Sequence, residues 1–137
     1  MIHLLASLIL ILVMVAAFTW LDRRWWCVCG SRNPWGGNKQ PCGSHHAFGV
    51  WSLSHVLHGA VFCIVLHVLF GNSLSVPGLL LGTMALEVAW ELIENTSHGI
   101  EATRLMVDRS YEGDSVGNSI GDVLSCMAGA GIVLVFV

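Results

Sequence analysis

The sequence predicts an all-α integral membrane protein with four transmembrane helices in a small bundle, and three observations carry the prediction. The 137-residue chain is 55% hydrophobic and only 11% charged, well below the roughly 25% charged residues of a soluble domain. Four apolar runs, at 2–21, 48–70, 78–94 and 118–137, are each of the length that a helix rising 1.5 Å per residue needs against a hydrocarbon core of about 30 Å. All six basic residues, Arg23, Arg24, Arg32, Lys39, Arg104 and Arg109, fall in the connections 22–47 and 95–117. The length suits one domain, 1–137. A net charge of -3 without a basic tract gives no footing for a nucleic-acid partner.

The first run, Ile2 to Leu21, has Trp20, Trp25 and Trp26 at one end, as an interfacial belt would. No Lys or Arg precedes it, which favours a retained span over a cleaved signal. Segment 22–47 carries Gly30, Pro34, Gly36, Gly37, Pro41 and Gly43, turn formers that disfavour a regular helix. The second run, Phe48 to Phe70, contains Ser52, Ser54, His55, His58 and His67, and a turn from Gly71 to Pro77 follows. The third run ends in Glu87, Glu91 and Glu94. Segment 95–117 has room for a short amphipathic helix around Glu101 to Val107. The fourth run holds Asp122, with Gly121, Ala128, Gly129, Ala130 and Gly131 as a small-residue face suited to close helix approach, within the chain or toward a second copy or another membrane partner. The positive-inside rule places 22–47 and 95–117 in the cytoplasm and both termini on the other side.

With that topology three helices each present a polar stripe at one depth. His55 and His58 are three residues apart. Glu87, Glu91 and Glu94 follow at four and three, with His98 beyond if the helix continues. Asn118 and Asp122 are four apart, after Ser115. Such spacings place side chains on one helix face. Ionisable groups are costly in lipid and mark functional sites by default. The stripes are therefore expected to meet in a pocket on the cytoplasmic half.

His55, His58, Glu87, Glu91, Glu94 and Asp122 are the candidate catalytic groups. His55, His58, Glu91, Glu94 and Asp122 are the candidate ligands of a divalent metal such as zinc, iron or manganese. Ser54, Asn95, Tyr111, Asp114, Ser115, Asn118 and Ser119 are candidates for substrate binding or for orienting those groups. A metal would relieve the repulsion among three glutamates and can activate water or polarise a phosphoryl oxygen. A metal-free His–carboxylate base is the alternative chemistry. The bland reading stays open: these groups pair with one another, or with Arg104 and Arg109, and set helix register. His3 and His67 lie toward the opposite face and Trp90 reads as packing. In the first connection Cys27, Cys29 and Cys42, with an imidazole from His45-His46, His45 being taken as the ligand, make a zinc candidate. Its C-x-C spacing is tighter than the usual C-x2-4-C, so reduced free thiols compete with it. Cys63 and Cys126 read as small apolar packing residues.

Three segments, Ser54-His55-Val56-Leu57-His58-Gly59, Glu87-Val88-Ala89-Trp90-Glu91-Leu92-Ile93-Glu94-Asn95 and Tyr111-Glu112-Gly113-Asp114-Ser115-Val116-Gly117-Asn118-Ser119-Ile120-Gly121-Asp122, resemble in order a bacterial family of multi-pass inner-membrane proteins, domain of unknown function 2585. The resemblance covers about Ser44 to Gly131 and implies a bacterial inner-membrane location; it brings no established activity. The chain departs from the family where Phe62-Cys63 stands in place of Phe-Tyr. A more distant likeness to VanZ-like membrane proteins rests on layout alone. The residues leave two functions open. One is a metal-assisted hydrolase or transferase acting on a lipid or lipid-linked group. The other is a non-enzymatic metal- or proton-binding protein or accessory subunit.

Overall fold

A computed structural model describes residues 1–37, 39 and 42–136. The expected turn former Pro41 and the expected last residue of the fourth span, Val137, lie outside the described residues. The protein is all-helical: α1 (Ile2–Trp20), α2 (Ser52–Phe70), α3 (Val76–Glu94), α4 (Ser97–Met106) and α5 (Val116–Leu134). Helices α1, α2, α3 and α5 have 19 residues each and are long and apolar enough to cross a membrane. Among the described residues the nearest thing to a strand is one isolated parallel bridge between Trp35 and Phe48.

Helix starts are set by caps and by one long-range pairing. Phe48 does not begin the second span. Its N–H donates to the Pro34 carbonyl at 2.8 Å and its carbonyl accepts from Gly36 N–H at 2.8 Å, so α2 starts four residues later at Ser52. Ser75 caps α3 by accepting from Gly78 N–H, and Pro77 fits the first turn, where its missing N–H costs nothing. The third helix therefore begins at Val76, two residues before the expected Gly78. Thr96 caps α4 in the same way through Gly99 N–H, so the amphipathic helix spans Ser97–Met106 rather than 101–107. Ser115 caps α5 through Asn118 N–H and moves its start from 118 to Val116.

Helix α5 is the buried centre and α2 packs closest to it. Two glycines make that approach: a Cβ on Gly59 would strike the Cys126 carbonyl, and one on Gly129 would strike the Val56 carbonyl. Most of the small-residue face expected on the fourth span is thus used within the chain, while Gly131 faces open space. Cys63 and Cys126 are buried, as packing residues would be. A cluster of Met14, Phe18, Val88, Val116 and Val123 joins α1, α3 and α5. The outward faces carry exposed Leu, Ile, Val and Trp side chains, suited to acyl chains.

The two basic connections meet at one end of the bundle. Val116 and Gly117 N–H, two of the donors a helix start leaves without intrahelical partners, reach the Arg24 and Trp25 carbonyls at 2.8 and 3.2 Å. Asn118 Nδ2 donates to the His46 carbonyl at 2.9 Å and Ser115 Oγ to the His45 carbonyl at 3.0 Å. Arg23 ties the other side, donating to the Asn95 and Glu112 carbonyls at 2.7 and 2.9 Å.

Candidate functional site

The expected stripes on α2, α3 and α5 meet, with His55 at the centre. Its Nδ1 donates to Glu87 Oε1 at 2.5 Å and stands 3.5 Å from Glu91 Oε1. Its Nε2 lies 3.8 Å from Asp122 Oδ2. Ser52, one turn before His55, donates to Asp122 Oδ1 at 3.3 Å. His58 Nδ1 is 3.4 Å from Glu87 Oε2 and stacks edge-on against Trp90. Glu94 accepts from Trp90 Nε1 at 2.9 Å. Glu87 and Glu91 are fully buried. Neither oxygen of Glu91 has a hydrogen-bond partner among the described residues, and neither does Glu87 Oε2.

Two sets could hold a metal: His55 with His58 and Glu87, and His55 with Glu91 and Glu94, each offering ligand atoms within 4.8 Å of one another. The expected ligand list is thereby divided. His58 and Glu94 fall into different sets, Glu87 enters, and Asp122 belongs to neither set but borders His55. The open end of the cluster is a cavity of about 260 Å³ whose wall includes His55, His58, Glu94, Asp114, Asn118 and Asp122. Trp51, Trp90, Met106 and Val107, each exposed, form its apolar rim.

The residues expected to assist fall into two groups. Ser54 lines the cavity and donates to the Trp51 carbonyl at 2.5 Å. Asn118 lines it too, while Ser119 is buried behind it with its hydroxyl beside Glu91. Asn95, Tyr111 and Asp114 form a closed network, and Tyr111 and Asp114 also line the cavity. Asp114 Oδ2 accepts from Tyr111 Oη at 2.5 Å and Asn95 Nδ2 at 2.9 Å, and Asp114 N–H donates to Asn95 Oδ1 at 2.7 Å. Burial holds the Asp114 carboxyl above its ordinary value, against the lowering effect of those two donors. Burial and the adjacent carboxylates push the Tyr111 phenol up. Ser115 serves as the cap of α5.

Three expectations are corrected. Arg104 Nε donates to the Tyr111 carbonyl at 2.6 Å, and its guanidinium lies 3.9 Å from the exposed Glu101, so it does not pair with the buried glutamates. His98 does not extend the glutamate stripe: α3 ends at Glu94, and His98 is exposed on α4. In the first connection it is His46, not His45, that joins Cys27, Cys29 and Cys42 within 4.8 Å. His45 turns away and donates through Nε2 to the Gly113 carbonyl at 3.2 Å. Burial holds its imidazole below the ordinary value.

Residues 18–136 match the family described as "Protein of unknown function (DUF2585)". The chain belongs to that family. It is the one the three motifs resemble. A UPF0314 protein of Paracoccus denitrificans is 34% identical over 131 residues, covering 90% of this chain and 65% of the relative. One of Brucella anthropi is 31% identical, covering 91% and 65%. One of Sinorhizobium fredii is 36% identical, covering 93% and 66%. The chain thus spans just under two thirds of the length of these relatives. No solved structure matches it. Within this DUF2585 chain, Ser52 is a site neighbour that the candidate sets left out, and His46 is the one of two adjacent histidines that joins the thiols. The i, i+3 spacing of Ser52 to His55 was the available signal for the first. Nothing local separates His46 from His45.

Proposed function

We propose that this DUF2585 protein is a multi-pass protein of the bacterial inner membrane that binds a divalent metal in the α2–α3–α5 pocket and uses it to hydrolyse or transfer a lipid or lipid-linked group. The observation that carries this is the pair of fully buried glutamates beside two imidazoles: among the described residues Glu87 Oε2 and both oxygens of Glu91 have no hydrogen-bond donor. A carboxylate taken out of water without a counter-charge or donor costs several kcal/mol. A cation held by His55, Glu91 and Glu94, with Asp122 alongside, would offset that cost. Glu87 then orients His55, as carboxylates behind metal-ligating histidines commonly do. The metal would polarise an ester or phosphoryl oxygen and lower the pKa of water. His58 and Asp122 border the cavity where a proton must be taken or given.

A lipid substrate is supported by the cavity's apolar rim and by the end of α4, where exposed Leu105, Met106 and the C-cap Val107 suit the headgroup boundary. The six basic residues at that end support a cytoplasmic placement. A second reading is a non-enzymatic proton or metal binder. The direct His55–Glu87 hydrogen bond favours it, because that pair shares a proton without any metal.

The test is elemental analysis of detergent-purified protein, wild type beside His55→Ala and Glu91→Gln. A mass-spectrometric assay for headgroup loss or transfer from bacterial lipid vesicles accompanies it. An enzyme keeps its fold but loses turnover in Glu91→Gln; a carrier holds stoichiometric metal with no turnover. Equal metal content that neither variant lowers would remove the metal from this pocket.

A further inference from the structure

The structure assigns a second metal site, a structural zinc held by Cys27, Cys29, Cys42 and His46 in the first connection. Cys27 Sγ lies 3.1 Å from Cys42 Sγ, and Cys29 Sγ lies 3.1 Å from His46 Nε2. All four ligand atoms fall within 4.8 Å of one another. Around zinc, with bonds of about 2.3 Å to sulfur and about 2.0 Å to nitrogen, tetrahedral geometry separates two sulfurs by about 3.8 Å and a sulfur from a nitrogen by about 3.5 Å. Opening the sulfur pair by about 0.7 Å and the sulfur–nitrogen pair by about 0.4 Å brings them to those values. Three thiolates and one imidazole select zinc over magnesium or calcium.

Two features prepare the histidine. Its Nδ1–H donates to the Asn33 carbonyl, which leaves the Nε2 lone pair directed at the thiols. A metal-ligating histidine commonly makes such a bond with its other nitrogen. The Trp26 ring then covers the imidazole, with centroids 5.6 Å apart. Gly36 lies so close to Cys42 that a Cβ there would strike the Cys42 carbonyl, so the chain folds tightly around this point.

The site has a structural task. Among its described residues the connection has little regular structure beyond a short 3-10 turn, Cys42–Ser44, and the Trp35–Phe48 bridge. Yet the Ser44, His45 and His46 carbonyls hold Ser115 and Asn118 at the start of α5. Linking Cys27 and Cys29 to Cys42 and His46 through one ion closes the connection where it grips that helix. The zinc therefore fixes the α5 end of the pocket. It rests on a ligand set separate from His55 and the glutamates, so the two assignments stand or fall apart.

The experiment uses the full chain in detergent. Zinc is measured by elemental analysis, and the cobalt-substituted protein is examined for the thiolate-to-metal charge-transfer band that a carboxylate–imidazole site lacks. Wild type and His55→Ala should each hold about one thiolate-bound metal per chain. Cys29→Ser and His46→Gln should lose at least about tenfold in affinity and weaken the band. Cys63→Ser should change neither. Should a loop variant fail to fold, the wild-type cobalt spectrum and thiol titration decide the matter alone. Three results would overturn the site: no charge-transfer band in wild type, loop thiols that react at once without a chelator, or a Cys27–Cys42 disulfide in non-reducing peptide mapping.

Discussion

Gly59→Ala should loosen the helix pair on which the pocket is built. A Cβ at this position would lie 2.6 Å from the Cys126 carbonyl carbon, whereas non-bonded carbons rest at about 3.5–4.0 Å. The obstacle is helix backbone, not a side chain that can swing away. Helices α2 and α5 must therefore part by about 1 Å, and overpacking of this kind costs about 1–3 kcal/mol. His55 and Asp122 sit one turn from Gly59 and Cys126 on the same two helices. Their 3.8 Å separation then widens toward about 5 Å, which draws the Asp122 carboxylate away from a cation at His55 and weakens its support of that charge. The assay is a thermal melt in detergent together with metal content. Gly131→Ala is the control, since its Cβ meets nothing within 4 Å and alanine is the better helix former. A Gly59→Ala protein with wild-type melting temperature and wild-type metal content would refute the close-packing account.

Asn95→Ala removes the amide that donates to Asp114 Oδ2 and the Glu91 carbonyl and accepts from Asp114 N–H. Loss of these buried bonds should cost about 2–3 kcal/mol, read as a lower melting temperature; a change under about 0.5 kcal/mol would count against the network. Ser115→Ala removes the cap of α5 and its bond to the His45 carbonyl, and should cost about 1–2 kcal/mol in the same melt. Asp114 adds a pH dependence. Its carboxyl is raised in the native state, so the proton is bound more tightly there than in the unfolded chain. The stability this confers is whole below the unfolded value near 3.8 and is lost as pH rises through the raised native value. Asp114→Asn cannot titrate, so its melting temperature should gain on wild type as pH rises from about 4 to about 7. A gap independent of pH would contradict the dominance of burial.

The spans and the meeting of their polar stripes were legible because both depend on local periodicity. An apolar run of span length reads directly from the chain, and His55, Glu87, Glu91 and Asp122 sit at spacings that share a face. Helix starts were partly legible: Ser75, Thr96 and Ser115 are all favoured N-cap types, but caps become decisive only once the preceding chain direction is known. Phe48 was not legible as a non-helical residue, because its partner Trp35 lies across an irregular loop. The same holds for His46 against His45. Adjacent residues in a turn point differently according to backbone angles that long-range bonds to Asn33 and Gly113 decide. The division of the glutamates between His55 and His58 depends on the relative rotation of α2 and α3, which side-chain spacing within one helix does not encode.

Two buried acids near the same end of the bundle separate a structural role from a functional one. Asp114 is paired as a register-setting acid should be, with donors from Tyr111 and Asn95 on one carboxyl oxygen and its own N–H returned to Asn95. Glu91 is as deeply buried, and among the described residues neither oxygen has a partner at ordinary hydrogen-bond length, with the Ser119 hydroxyl standing beside it. A fold that needed only a polar peg between α3 and α5 would gain from satisfying that carboxylate or from replacing it by glutamine. In metal-free protein Glu91→Gln should therefore melt no lower than wild type, while Asn95→Ala melts lower. With metal present the order should change, because wild type alone gains the binding free energy. Measuring both variants with and without a chelator tests this directly. A Glu91→Gln protein that is less stable even without metal would make Glu91 a structural acid like Asp114 and leave the pocket without its strongest ligand.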